Sequence, residues 1–313
     1  MTAGAAPLWS VPVAAALVGL GALLGACLDG VLDPAGRSAS LTGRLGRPLW
    51  ETARLMRQQR RSTTVADSLL WRAGTATPLV AALLMAMVVP FGRAAVTALP
   101  VGLVWFNAMD VLLWAGWWLA GWGPDSVHSL VGGYRWLAQA LSYELPLMFA
   151  LTAPAVAASS LSVTDIVTAQ HDRWFVLQMP VAAVVFTTSV AAFSLWGPFA
   201  YPAQPGIGGG VLLETSGVDR LVARLGQYAL LVVGSAMATA LFLGGGGGPL
   251  LPPWLWSLLK TAAVLALLVA LRRRLPVWRA DRVMRVAWLA VLPLTLAQVL
   301  AVSVLAVARG SAP

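Results

Sequence analysis

LVARLGQYALLVVGSAMATALFLG, residues 221–244, carries one charged side chain, Arg224, near its start. A helix rises ~1.5 Å per residue, so this run can cross ~30 Å of hydrocarbon with every interior backbone group bonded within the helix. Comparable runs lie outward from it near 9–30, 73–91, 96–121, 136–160, 174–197, 254–272 and 285–308. The chain therefore reads as an all-α, polytopic integral membrane protein, one membrane domain over 1–313 with about eight transmembrane helices. Composition agrees: 59% of the 313 residues are hydrophobic and 11% are charged, which places the chain outside the soluble globular class.

The formal charge of +9 invites a nucleic-acid reading, but the basic residues fall in short segments between apolar runs. With eight spans, one face collects Arg37, Arg44, Arg47, Arg54, Arg57, Arg60, Arg61, Arg72, Arg135, Arg220, Arg224, Arg272, Arg273, Arg274, Arg279, Arg282 and Arg285. The other face has Arg93, Arg173 and Arg309, while Lys260 falls inside a span. The positive-inside rule then puts the long first loop in the cytoplasm and both termini on the external side. The run from Pro12 to Leu28 has no basic stretch before it and reads as a retained first span, not a signal peptide.

Within the first loop, PLWETARLMRQQ (48–59) gathers Leu49, Ala53, Leu55 and Met56 on one side and charged groups elsewhere. This predicts an amphipathic helix on the membrane surface, the alternative being an irregular basic tether to headgroups. Fifteen Trp against four Tyr suit a protein with many lipid interfaces.

Several chemistries lack their residues. Cys27 is the single cysteine, and His128 and His171 fall on opposite sides in this topology, so neither a Cys-rich metal site nor a His pair is expected. Gly244–Gly248 is followed by Pro249, not by a Lys-Ser/Thr pair opening a helix, and Gly206–Gly210 has no nucleotide fingerprint.

Ionisable groups in hydrocarbon usually face a bundle interior, and Asp110, Glu144 and Lys260 are the candidates. Glu144 stands in SYELP, where Pro146 removes a helical hydrogen bond and Tyr143 offers a hydroxyl. Two readings are open: a proton-exchanging group reached by water, or a neutral acid bonded to a neighbouring helix. Lys260 is either the positive partner of a buried carboxylate or a snorkelling side chain. Asp110, in FNAMDVLLW, either pairs structurally with Asn107 or a basic group from another helix, or serves transport.

Several segments in order resemble the H subunit of proton-pumping NADH-quinone oxidoreductase, the respiratory complex I subunit 1 family, related to membrane subunits of formate hydrogenlyase and energy-converting hydrogenases. They are GGYRWLAQALSYELPL (132–147), SVTDIVTAQ (162–170), GPLLPPWLWSLLKTA (248–262) and RRRLPVWRADRVMRVAWLAVLPLTL (272–296), with weaker support from RPLWETARLMRQQ (47–59) and VADSLLWR (65–72). The resemblance runs over roughly 45–305. It implies a component of the bacterial plasma membrane that anchors a hydrophilic redox arm, helps form a quinone chamber and links it to proton translocation.

By position it makes Glu144 and Lys260 proton-path residues, and Arg54, Arg135, Glu214, Asp281 and Arg282 quinone-chamber or arm-docking residues. It implies no cofactor in this chain, quinone as substrate, iron–sulfur clusters and flavin only in partner subunits, and no nucleic acid. The family also carries an acid at the end of the fifth span and an acid-rich loop after it. Here FSLWGPFAYPAQPGIGGGVLLETSG (193–217) has Phe193, Ala200, Ala203, Pro205 and Ile207 at those places, and only Glu214 keeps an acid. The first loop also lacks the family's full Gln-Arg-x-Gly-Pro stretch. This points to a diverged paralogue with weakened coupling. Other readings are a hydrogenase or formate hydrogenlyase-like membrane anchor, a non-catalytic assembly subunit, or an independent secondary transporter.

Overall fold

A computed structural model describes residues 7, 9–33, 40–92, 94–204 and 208–310. Arg37, Arg93, Pro205, Gly206 and Ile207, and the side chain of Arg309, lie outside the described residues. Among the described residues there is no strand, only an isolated bridge between Phe91 and Ala94.

Seven helical stretches among the described residues are long and apolar enough to cross a membrane. Six are single helices: α1 (Ser10–Leu32), α3 (Ser68–Ala86), α4 (Gly102–Trp122), α5 (Val127–Ala158), α9 (Gly217–Phe242) and α10 (Pro253–Arg274). The seventh joins α11 (Ala280–Val286), a wider π turn over Ala287–Val291 and α12 (Leu292–Gly310). Between α1 and α3 lies α2 (Leu41–Arg57); between α5 and α9 lie α6 (Val163–Thr168), α7 (Phe175–Gln178) and α8 (Pro180–Phe193).

The apolar run at 174–197 is thus divided. One turn, α7, ends at Met179, and Pro180 then occupies the first position of α8, where its missing N–H costs nothing. The freed donor of Ala182 is met by Gln298 Oε1 of α12 at 2.7 Å. α5 is longer than its predicted span: 32 residues give roughly 48 Å, so its first turns run beyond the hydrocarbon thickness.

α9 is the axis of the bundle, 83% of its apolar window being buried, against 17% for α1 and 11% for the last helix. It packs on α3, α10, α1 and α8, while α5 packs on α4, α8 and α12. Small residues permit the close crossings. A Cβ on Gly74 of α3 would strike the backbone of Gly116 and Ala120 in α4, and one on Gly226 of α9 would come within 2.7 Å of Leu79 N in α3.

α2 begins seven residues before the amphipathic stretch read from sequence, capped by Ser40, whose hydroxyl accepts from Gly43 N at 3.2 Å. Leu55 is fully buried, whereas Leu49, Trp50 and Met56 remain exposed, as an interfacial helix requires. Glu51 ties it to the bundle through Arg224 of α9 at 2.7 Å.

Candidate functional site

Two carboxyls stand side by side inside the bundle. α4 contributes Asp110, which is fully buried, and α5 contributes Glu144, within hydrogen-bonding reach of it. Tyr143 Oη donates to Asp110 Oδ1 at 3.2 Å, and Asn107 Nδ2 donates to Glu144 Oε1 at 3.3 Å. Along the sequence Tyr143 adjoins Glu144 and Asn107 is the expected partner of Asp110; the helix surfaces cross the pairs the other way. Asp110 Oδ2, Glu144 Oε2 and Asn107 Oδ1 are buried without a partner. No cation is hydrogen-bonded or ion-paired to either carboxyl among the described residues. α5 continues helically through Pro146. The missing N–H of Pro146 leaves the Ser142 carbonyl without its ordinary helical donor.

Lys260 is placed elsewhere. Its ammonium donates to the carbonyls of Leu243 (2.6 Å), Gly245 (3.1 Å) and Gly247 (2.6 Å), so all three donors are used on the glycine-rich turn that ends α9. Trp174 and Trp256 cover it at 4.4 and 5.5 Å from their ring centroids. It meets no carboxylate among the described residues; its partners are carbonyls of the turn that follows α9.

The remaining candidates lie toward the arginine-rich end. Arg135 donates to Gly209 O at 2.9 Å and lies 4.6 Å above the Tyr201 ring. Glu214 accepts from Ser126 Oγ at 2.9 Å. Arg54 pairs with Glu51 at 2.8 Å, and that hydrogen bond, with further help from Arg224, holds the Glu51 carboxyl below its ordinary range despite partial burial. Asp281 meets Arg279 at 3.5 Å, and Arg282 is exposed beside it.

The loop after α8 is held by aromatic and backbone contacts. Phe199 stacks edge-on with Trp278 at 6.2 Å, Trp278 N donates to Pro198 O at 2.8 Å, and Gln139 Nε2 of α5 bonds the carbonyls of Ala192 and Phe199, each at 3.0 Å.

One cluster is absent from the expectations drawn from sequence. Asp29 and Asp33, one turn apart at the end of α1, are both buried. Arg273 bonds Asp29 at 2.7 Å and Asp33 at 3.2 Å; Arg272 meets Asp29 at 3.2 Å, Arg47 meets Asp33, and Tyr228 Oη donates to Asp29 at 3.4 Å. Arg272 also lies 4.2 Å above Trp196. The signal available in sequence is an i, i+4 acid pair closing an apolar run.

Away from these groups, toward the end of the bundle opposite the arginines, an apolar cavity of about 460 Å³ opens between α1, α9 and α10. Leu17, Gly21, Phe91, Val232, Ala236 and Leu265 are among its walls, and among the described residues no charged side chain lines it. Among the described residues no group of three or more His, Cys, Asp or Glu side chains could hold a metal ion.

Comparison with known proteins brings these features together. The family model described as NADH dehydrogenase matches residues 38–303. The chain is 35% identical over 264 residues to an NADH-quinone oxidoreductase H subunit of Geobacter sulfurreducens, covering 81% of this chain and 80% of that one. It is 36% identical over 246 residues to an H subunit of the same enzyme from Syntrophobacter fumaroxidans (75% and 74% covered), and 35% over 268 residues to one from Rhodopseudomonas palustris (84% and 83%).

Proposed function

The chain belongs to the NADH dehydrogenase family, and on that premise we propose that it is the membrane subunit of a complex I-like NADH-quinone oxidoreductase, anchoring the redox arm and carrying protons through Glu144. It carries no electrons itself. Electron transfer belongs to flavin and iron–sulfur partners, with quinone as the substrate reduced at the membrane surface. Its arginine-rich end faces the cytoplasm and receives the hydrophilic arm near Arg54, Arg135, Glu214, Asp281 and Arg282. Both termini are external, in the bacterial plasma membrane, with the divided α7–α8 segment completing eight spans.

The observation that carries the proton role is the pair of adjoining carboxyls, Asp110 and Glu144, each with a buried oxygen lacking a donor. Such an oxygen is costly unless a proton or water reaches it. Lys260, with its three donors on carbonyls, supports a structural role in this reading. The test is E144Q in the complex extracted from native membranes and rebuilt in proteoliposomes. Protons moved per quinone reduced should fall while the complex stays assembled; full pumping would refute the role.

A second reading, a non-catalytic assembly subunit, draws on the loop 197–204, where Ala200 and Ala203 stand in place of acids and Arg135 is satisfied by a carbonyl and a ring. In that case A203E leaves quinone turnover and pumping unchanged.

A further inference from the structure

We propose that Asp110 and Glu144 form a single protonic unit that holds one proton between them at rest, so that Asp110 is a second proton-carrying group alongside Glu144. The inference deepens the proton-path reading and rests on it.

The donor count leads there. Four carboxyl oxygens share two donors: Tyr143 serves Asp110 Oδ1, and Asn107 serves Glu144 Oε1. The other two oxygens are buried and unpartnered. Two full negative charges this close, away from water and without a cation, repel each other and are each poorly solvated. α3, α6, α8, α11, the π turn, α12 and residues 201–203, which pack on these two helices, bring no hydrogen bond or ion pair to either carboxyl among the described residues, the charged Asp281, Arg282 and Arg285 of α11 included. One proton between the carboxyls supplies the missing donor: the protonated oxygen donates to its neighbour, and the pair bears a single negative charge.

Transport then balances simply. An arriving proton binds the ionised carboxyl and makes the pair neutral; a proton leaves from the other carboxyl and restores the single charge. No bond other than O–H forms or breaks. Tyr143 and Asn107 are positioning residues, each fixing one carboxyl by donating to one of its oxygens. Asp110 and Glu144 come from different helices and lie 34 positions apart, so no linear motif joins them.

The experiment is infrared titration of carboxyl bands in the assembled complex, in H₂O and D₂O, for the native protein, D110N and E144Q, with the pumping ratio measured on the same preparations. Both substitutions keep size and a polar group beside the remaining acid. A shared proton predicts two-step titration of the native pair and one-step titration in either variant. The double variant should pump within about twofold of the weaker single one, because the two act together. If Glu144 titrates identically in native protein and D110N, the unit does not exist. If D110N fails to assemble, the same comparison is read at Asp110 in E144Q, and an unchanged Asp110 titration there overturns the proposal equally. Full pumping by E144Q beside a clear two-step native titration would overturn the proton path while leaving the shared proton standing.

Discussion

Tyr143 donates its hydroxyl to Asp110 Oδ1 across the α4–α5 interface at 3.2 Å, so the residue next to Glu144 in sequence orients the other carboxyl of the pair. The tyrosine also lies within the aromatic contact chain of Trp117, Trp136 and Phe193, which keeps its ring in place while the hydroxyl holds a buried acid.

Y143F should therefore separate packing from proton handling. The ring contacts survive, while Asp110 loses its donor, a change of about 1–3 kcal/mol when a buried acceptor is left unmet. The complex should assemble with lowered thermal stability, and protons moved per quinone should fall. Unchanged pumping and stability would show that Asp110 does not depend on this hydrogen bond.

K260M should act on architecture. Three carbonyls at the end of α9 lose their cation, and charge-assisted bonds of this kind contribute about 1.5–3 kcal/mol each before compensation. Less complex should be recovered from membranes, with the pH profile of quinone turnover in the surviving fraction unaltered. A displaced pH profile in fully assembled K260M would return Lys260 to the proton path.

The Asp29–Arg273 pair should show coupling. R273A takes away the arginine shared by two buried carboxylates and leaves Arg272 beside Asp29 and Arg47 beside Asp33, whereas R273A combined with D29N and D33N removes the under-neutralised charge as well. The combined variant should be more stable to heat than R273A alone. Equal or lower stability would mean that the arginine acts by packing and not by charge.

Acid should loosen α2. Arg54 and Arg224 hold Glu51 below its ordinary range, so the stabilisation is complete above the unfolded carboxyl pKa and fades as pH falls through the lower folded one. Hydrogen exchange along Leu41–Arg57, followed from neutral pH downward, should rise in that acid window. In E51Q the rise should be absent, exchange being already faster at neutral pH. A native profile identical to that of E51Q would remove Glu51 as the tether.

Much was legible along the chain because membrane insertion is read locally. An apolar run such as 221–244 must be helical and buried in lipid or protein, whatever its neighbours do, and the crowding of arginines between particular runs is a property of order in sequence. The amphipathic stretch 48–59 carries its meaning in spacing as well.

Partnership was not legible, and the reason is geometric. Which atom a buried side chain meets depends on the rotation of each helix about its axis and on how closely the backbones cross, set here by contacts such as Gly74 against Gly116 and Gly226 against Leu79. Hydropathy is insensitive to both. The sequence by itself therefore determined a polytopic helical membrane protein with Asp110, Glu144 and Lys260 as conspicuous ionisable residues. Only the tertiary structure turned Tyr143 toward Asp110, set Asp110 beside Glu144 and spent Lys260 on three backbone carbonyls.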